Sequence, residues 1–258
     1  MSKNFELMQQ TGRGPVMTAT PSQIPQKPLS VSHANGNGHR NGNEAGLNLD
    51  NLAQEETLKL VQRVFLLQAG DVPRTVIFAG IDHGNGCSRV CARTAQVLAA
   101  NTPGKVCIVD ANLRSPSLPE YFGMTNHHGL TDSLLQDGPI TTFAKPTGTP
   151  NLWLLSCGSL ASDSASLLNS DRLKTRLAEM REEFDFVLID TPALSQYADA
   201  VALGRLSDGM IFVLEANSTR RESAIKVIEN LRASNVQILG AVLNKRDYPI
   251  PESVYHRL

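Results

Sequence analysis

From Arg74 to Asn244 the chain alternates short apolar runs with longer amphipathic stretches, and this alternation narrows the possible folds more than any other feature. The runs are "RTVIFAG", "KVCIVDA", "NLWLLSCG", "FDFVLIDT", "DGMIFVLEA" and "VQILGAVLN". Each is almost continuously apolar, as a strand buried on both faces must be. Between several of them lie helical stretches, Ser88 to Ala100, Ser170 to Glu183 and Thr219 to Ala233. Strand alternating with helix predicts an α/β fold: a mostly parallel sheet with helices on both faces and ligands at the carboxyl ends of the strands. One more helix precedes the first run. From Glu55, Leu58, Val61, Phe65 and Leu66 follow a 3.6-residue spacing that Gly70 and Pro73 end.

Residues 1–50 are different material. "TPSQIPQKP" and "SHANGNGHRNGNEAG" are polar and rich in Gly and Asn, too poor in apolar surface to offset the entropy of ordering. The expectation is a disordered N-terminal arm over residues 1–50 and a single domain over 51–258. Phe5, Leu7 and Met8 lie close enough for a short docking helix, although a frayed terminus is the plainer reading. With 24 basic and 25 acidic residues, the chain has no net field to attract nucleic acid, and no nucleic-acid partner is expected. The longest apolar runs fall far short of the roughly 20 residues of a membrane helix, and "MSKNFELMQQ" has no signal-peptide core. A soluble, cytoplasmic protein is expected. The four cysteines, at 87, 91, 107 and 157, sit in apolar or glycine-rich segments that predict reduced thiols.

The first run ends in Gly80 and continues through Gly84 and Gly86 to Cys87 and Ser88, where a helix begins. Glycines let successive N–H groups curl toward one point, and the helix N-terminus adds its positive dipole end. The result is an anion cradle. The usual phosphate-loop pattern ends Gly-Lys-Ser/Thr, with Lys on the terminal phosphates and the hydroxyl on magnesium. Here it ends Gly86-Cys87-Ser88. The second run closes on Asp110 and the fourth on Asp190, so both carboxylates arrive at the edge that carries Ser88. A lone strand-end aspartate is as readily a cap as a ligand. Two beside a phosphate loop point to a magnesium site completed through water.

On these residues the chain from about Glu55 onward resembles the P-loop domain of the bacterial tyrosine kinases (BY-kinases, CpsD/CapB-like) of exopolysaccharide and capsule assembly, relatives of the deviant-Walker ATPases. "VDANLRSPSLPEYFG" is similar to the family's second Walker-type motif, "VLIDTPALSQYADA" to its Walker B region, and "ILGAVLNK" to the strand that carries a base-contacting Asn. The resemblance implies ATP or ADP with Mg2+ as cofactors. It places Ser88, Asp110 and Asp190 around the metal and Gly80, Gly84, Gly86 and Cys87 in the phosphate loop, and it makes Asp110 and Asp190 the catalytic carboxylates. Arg114 would serve the phosphate or a subunit contact, Asp199 would support the site and Asn244 would meet the base. The implied partners are the cytoplasmic segment of a membrane polysaccharide co-polymerase, which would recruit the chain to the inner face of the membrane, and further copies of the chain.

Several departures from the family converge. Cys87 stands at the phosphate-loop lysine. Losing a charge-assisted hydrogen bond of ~1.5–3 kcal/mol would weaken binding about ten- to a hundredfold, and transfer more, because the lysine opposes charge on the moving phosphoryl group. Asp82 and His83 lie in the same loop, while Arg89 and Arg93 on the following helix are candidate substitutes for the lysine, or helix-surface arginines paired with acids. The family's second Asp is Asn112, which accepts a hydrogen bond but takes no proton. Its oligomer-forming Glu-x-x-Arg-x-x-Arg reads Glu56, Lys59 and Gln62, with Arg63 one step late, which counts against a ring. Its C-terminal tyrosine cluster is reduced to Tyr248 and Tyr255.

Cys87 as a gain is the weaker reading. A thiol at a helix start is activated, but Cys91 at i+4 has poor geometry for a disulfide and reads as a core residue, and no cluster of about four ligands suits zinc. His127 and His128 read as solvated loop residues before a helix capped by Thr131 or Asp132. The expected function is a catalytically impaired BY-kinase-like regulator or scaffold of exopolysaccharide biosynthesis. The alternatives are an active tyrosine kinase or ATPase with a variant loop and, against the Gly80-Ile81-Asp82-His83 sequence, a partitioning-type ATPase, which expects a lysine early in the loop.

Overall fold

A computed structural model describes residues 49–67, 70–159 and 164–246. Expectations for the N-terminal arm, Tyr248 and Tyr255 lie outside the described residues. Seven strands form one sheet: β1 (Thr75–Gly80), β2 (Val106–Asp110), β3 (Lys145–Pro146), β4 (Leu152–Leu155), β5 (Phe186–Thr191), β6 (Gly209–Glu215) and β7 (Ile238–Asn244). Their order across the sheet is β3-β4-β2-β5-β1-β6-β7. All pairs are parallel except β3 with β4. The six apolar runs are six of the strands. The antiparallel β3 edge was not anticipated, because two exposed residues, Lys145 and Pro146, leave no apolar signature.

The buried strands divide their side chains strictly between two cores, as a period of two dictates. Ile77, Ala79, Cys107, Val109, Val187, Ile189, Met210 and Phe212 face one core. There they meet α4 (Leu130–Leu135), α5 (Ile140–Phe143), α7 (Asp171–Glu183), α8 (Asp199–Gly204) and α9 (Arg221–Ala233). Val76, Phe78, Val106, Ile108, Leu188, Ile211 and Val213 face the other. This second face is covered by α1 (Leu49–Val61), α2 (Cys87–Asn101) and α3 (Leu118–Tyr121). A single turn, α6 (Ser164–Leu167), precedes α7.

Three local expectations need correction. The first helix begins at Leu49 and not at Glu55. It ends in a π-helical turn, Gln62–Leu66, closed by Leu67 N–H on the Gln62 carbonyl at 2.8 Å. The wider turn changes the facing of the last residues: Val64 and Phe65 enter the core and Leu66 is exposed. The cap of α4 is Gly129 and neither Thr131 nor Asp132. Asp132 instead accepts from the Gly129 N–H at 3.0 Å, and the Thr131 hydroxyl contacts the Cys157 and Ser159 carbonyls.

β1 lies between β5 and β6. The chain leaves β1 through α2 toward β2 on one side, while β6 and β7 build the other, so the carboxyl end of β1 is the point where a crevice opens.

Candidate functional site

The loop from Gly80 to Gly86 leaves that point and turns into α2. Gly84 and Gly86 both have φ of 82°, where a side chain is strained, and Gly86 is the residue before the first helical position. The two glycines that the pattern singled out therefore do bend the loop. Gly80 serves differently: a Cβ there would collide with the Asn85 side-chain amide. Asn85 is buried, donating to the Val213 carbonyl at 2.8 Å and accepting from the Cys87 N–H at 3.1 Å. One N–H of the cradle is thus satisfied by the loop's own side chain. Asp82 and His83 are exposed, away from the buried groups beneath the loop.

Beneath the loop, Asp110 and Asp190 are direct partners across β2 and β5. The Ala111 N–H donates to the Asp190 carbonyl at 2.9 Å and locks that register. Their carboxylates have opposite surroundings. Asp110 accepts from the N–H groups of Asn112 (3.2 Å), Ser117 (3.1 Å) and Leu118 (3.1 Å), closing the 111–118 loop around itself. Asp190 is fully buried, and neither oxygen has a partner of hydrogen-bond geometry. The Ser88 hydroxyl and the Cys87 thiol are close enough to favour its charged form, Ser88 more than Cys87, without satisfying it. Burial first, then the Asp110 charge, raises the Asp190 pKa, and burial raises that of Asp110 against its three amide donors.

Cys87 is buried against this pair. Burial pushes its thiol well above the usual range, and the Asp190 charge pushes it further. Cys91, one turn on, is raised for the same two reasons. The helix dipole is outweighed, and these are protonated core thiols.

The remaining candidates lie around the same edge. Arg114 extends over the Tyr197 ring, 4.5 Å from its centroid, with its guanidinium 3.9 Å from the buried Asp199 carboxylate at the start of α8. Asn244 ends β7, and its amide donates to the Asn85 carbonyl at 2.8 Å. Asn85, Glu215 and Lys245 also belong to this edge and were missed by sequence reasoning. Lys245 donates to the Gly84 carbonyl at 2.7 Å and to Glu215 Oε1 at 3.2 Å. Only its place directly after Asn244 in "VLNK" was a signal.

A concavity of about 1050 Å³ opens at the opposite, amino-terminal edge beside Phe65, Arg74, Arg181, Asp208 and Leu239. Its charged groups are consumed internally. The Arg74 guanidinium donates to the carbonyls of Asp185, Arg181 and Phe184, and Arg181 pairs with Asp208 at 2.7 Å. The carboxyl edge holds a buried carboxylate, Asp190, with neither oxygen hydrogen-bonded.

No family model matches the chain. It is 32% identical to tyrosine-protein kinase YwqD of Bacillus subtilis (strain 168) over 171 residues, which are 66% of this chain and 72% of the relative. The chain belongs to the bacterial tyrosine-protein kinase family. Succinoglycan biosynthesis transport protein ExoP of Rhizobium meliloti (strain 1021) is 28% identical over 182 residues, and there the chain spans 69% of its own length and 23% of the relative. Among solved structures, the VpsO kinase domain matches with a TM-score of 0.70 at 24% identity, over 78% of this chain and all of that one. The septum site-determining protein MinD from Pyrococcus horikoshii OT3, complexed with Mg-ADP, matches with a TM-score of 0.56 at 22% identity, over 71% of this chain and 76% of that one. These likenesses show the fold, a P-loop NTPase-like parallel sheet.

Within this family of kinases the chain's departures have local consequences. The buried thiol of Cys87 adds no charge to the loop. Asn112, in place of a second aspartate, holds the Ser115 N–H at 3.2 Å through its side-chain oxygen and so acts as a turn residue. In α1, Lys59 is held by Glu56 at 2.7 Å on the exposed surface.

Proposed function

We propose that this member of the bacterial tyrosine-protein kinase family retains a nucleotide-site scaffold without competent phosphotransfer machinery. It acts in the cytoplasm as a regulatory or scaffold partner of a membrane polysaccharide co-polymerase in exopolysaccharide biosynthesis. The observation that carries the reading is Cys87, a buried, neutral side-chain type in a loop whose pattern calls for a lysine. With Asn112 replacing a potential base, charge stabilisation and proton abstraction are both removed from the positions that would supply them. The names of relatives such as ExoP support the pathway. Among the described residues no helix is long and apolar enough to cross a membrane.

The residues fit Mg2+. This ion takes one or two carboxylates and keeps several waters; Asp190 offers two buried oxygens without partners and Ser88 a hydroxyl beside them. Asp110, with both oxygens engaged by backbone amides, would contribute through water. When bound, the ion would neutralise charge on the phosphates of ATP or ADP. The cradle's free N–H groups would orient the phosphates, Asn244 would exchange the Asn85 carbonyl for the base, and Arg114 with Asp199 would flank the ligand or meet a second copy of the chain. No residue of the loop itself would follow charge onto a transferring phosphoryl group.

The test is calorimetry with Mg-ADP and Mg-ATP on the wild type and Cys87→Lys, alongside phosphotyrosine detection on the full chain and on the cytoplasmic segment of a co-polymerase. The expected result is binding at least tenfold weaker in the wild type than in the variant, with no phosphotyrosine from the wild type. Phosphotyrosine that depends on Asp190 in the wild type would overturn the reading in favour of an active kinase with a variant loop.

A further inference from the structure

A lysine does reach the phosphate loop, from another strand. Lys245 directly follows β7 with φ of 54°, a left-handed backbone that residues other than Gly, Asn and Asp adopt infrequently. That turn brings its ammonium onto the Gly84 carbonyl at 2.7 Å, two residues before the glycine that opens α2. The neighbouring Asn244 holds the Asn85 carbonyl, and Asn85 holds the Val213 carbonyl. The whole loop segment 84–86 is therefore tied to the ends of β6 and β7. A strained backbone retained beside a functional loop is the kind of outlier from which a role is reasonably inferred.

The ammonium rests on two acceptors. One acceptor is a neutral carbonyl. The other, Glu215, is 3.2 Å away, and the lysine side chain remains 48% exposed. A phosphate oxygen is a stronger acceptor than a peptide carbonyl, and the loop's N–H groups with the α2 dipole draw an anion to this point. The deep position of the missing lysine cannot compete, since Cys87 there is a neutral thiol. Arg89 on α2 is exposed, whereas the Lys245 nitrogen already touches the loop.

We propose that Lys245 is the phosphate-binding cation of this site. It would leave the Gly84 carbonyl for the phosphates of a nucleoside di- or triphosphate and supply from β7 the charge that the loop lacks at Cys87. The proposal rests on reading the loop as a nucleotide site. It concerns binding, however, and is independent of whether phosphate is transferred.

The experiment compares ADP with adenosine by calorimetry on the full chain, as wild type, Lys245→Met and Lys245→Asn. Asparagine accepts the left-handed backbone, so it preserves the turn if methionine does not; circular dichroism checks the fold of each. The expected result is that both variants lose ADP affinity tenfold or more while adenosine affinity stays within twofold. Equal ADP affinity in the wild type and both variants would overturn the proposal and leave Lys245 a loop strut. Absence of ADP binding by the wild type at millimolar concentration would also overturn it, while the non-catalytic reading would stand. Lysine-dependent ADP binding accompanied by phosphotyrosine formation would uphold the proposal and overturn that reading.

Discussion

Asp110 and Asp190 sit directly opposite each other on neighbouring parallel strands, yet Asp110 accepts three backbone N–H groups and Asp190 accepts none of adequate geometry. The asymmetry assigns them different work: Asp110 organises a loop, and Asp190 is left unsatisfied in a way that a buried carboxylate tolerates only at a cost.

The first consequence is a pH dependence. The folded pKa of Asp190 is raised by burial and by Asp110, so the native pair retains a proton that the unfolded chain releases above about pH 4. The unfolded state then binds fewer protons, and stability falls as pH rises through this window, by at most ~1.4 kcal/mol per pH unit for one proton. Urea unfolding of the metal-free protein between pH 5 and 8 should show this decline, and Asp190→Asn should flatten it. An equal slope in the variant would assign the dependence to other groups.

Asp110→Ala should act on the 111–118 loop. Removing the acceptor leaves the N–H groups of Ser117 and Leu118 without their partner, a loss of about 1–3 kcal/mol. Hydrogen exchange should quicken at Asn112, Ser117 and Leu118 first, and the α9 amides should be unchanged.

Asn85→Ala leaves the buried Cys87 N–H without its acceptor and the Val213 carbonyl with only the longer Ile81 N–H contact at 3.4 Å, again at about 1–3 kcal/mol. The shift should be read as a lower urea midpoint with an unchanged m-value. A midpoint within error of the wild type would mean that water replaces the amide at both ends.

The thiols should be inert in the native state. All four cysteines are buried, burial raises each, and Cys107 and Cys157 are pushed to about 12. A thiol reagent at pH 7.5 should label none of them before unfolding, and four equivalents after it. Fast labelling of Cys87 in the folded protein would restore the redox reading.

Arg114→Ala should change stability by less than ~1 kcal/mol, because its side chain is 43% exposed and its guanidinium lies 3.9 Å from Asp199. The proposed role in ligand or subunit contact predicts a larger effect, measured as a change in ADP affinity or in sedimentation.

The strand and helix order was legible in the sequence because strands buried on both faces must be apolar through their middle, and β1, β2 and β5 are, with polar residues only at their ends. The bend of the loop after β1 was legible too, since glycine at 84 and 86 meets a backbone requirement that few other residues satisfy. So was the missing lysine, as a residue identity. Only the tertiary structure decided what surrounds these residues. It showed that the Cys87 thiol is pressed against a carboxylate and held neutral, that Asp110 spends its oxygens on its own loop, and that Asn85 occupies a cradle N–H. It also brought Lys245, 161 positions from Gly84, onto the loop. Sequence periodicity reports burial, which each residue experiences locally. Hydrogen-bond partners and pKa shifts are set by groups that only the packing of β5, β6 and β7 around β1 brings within reach.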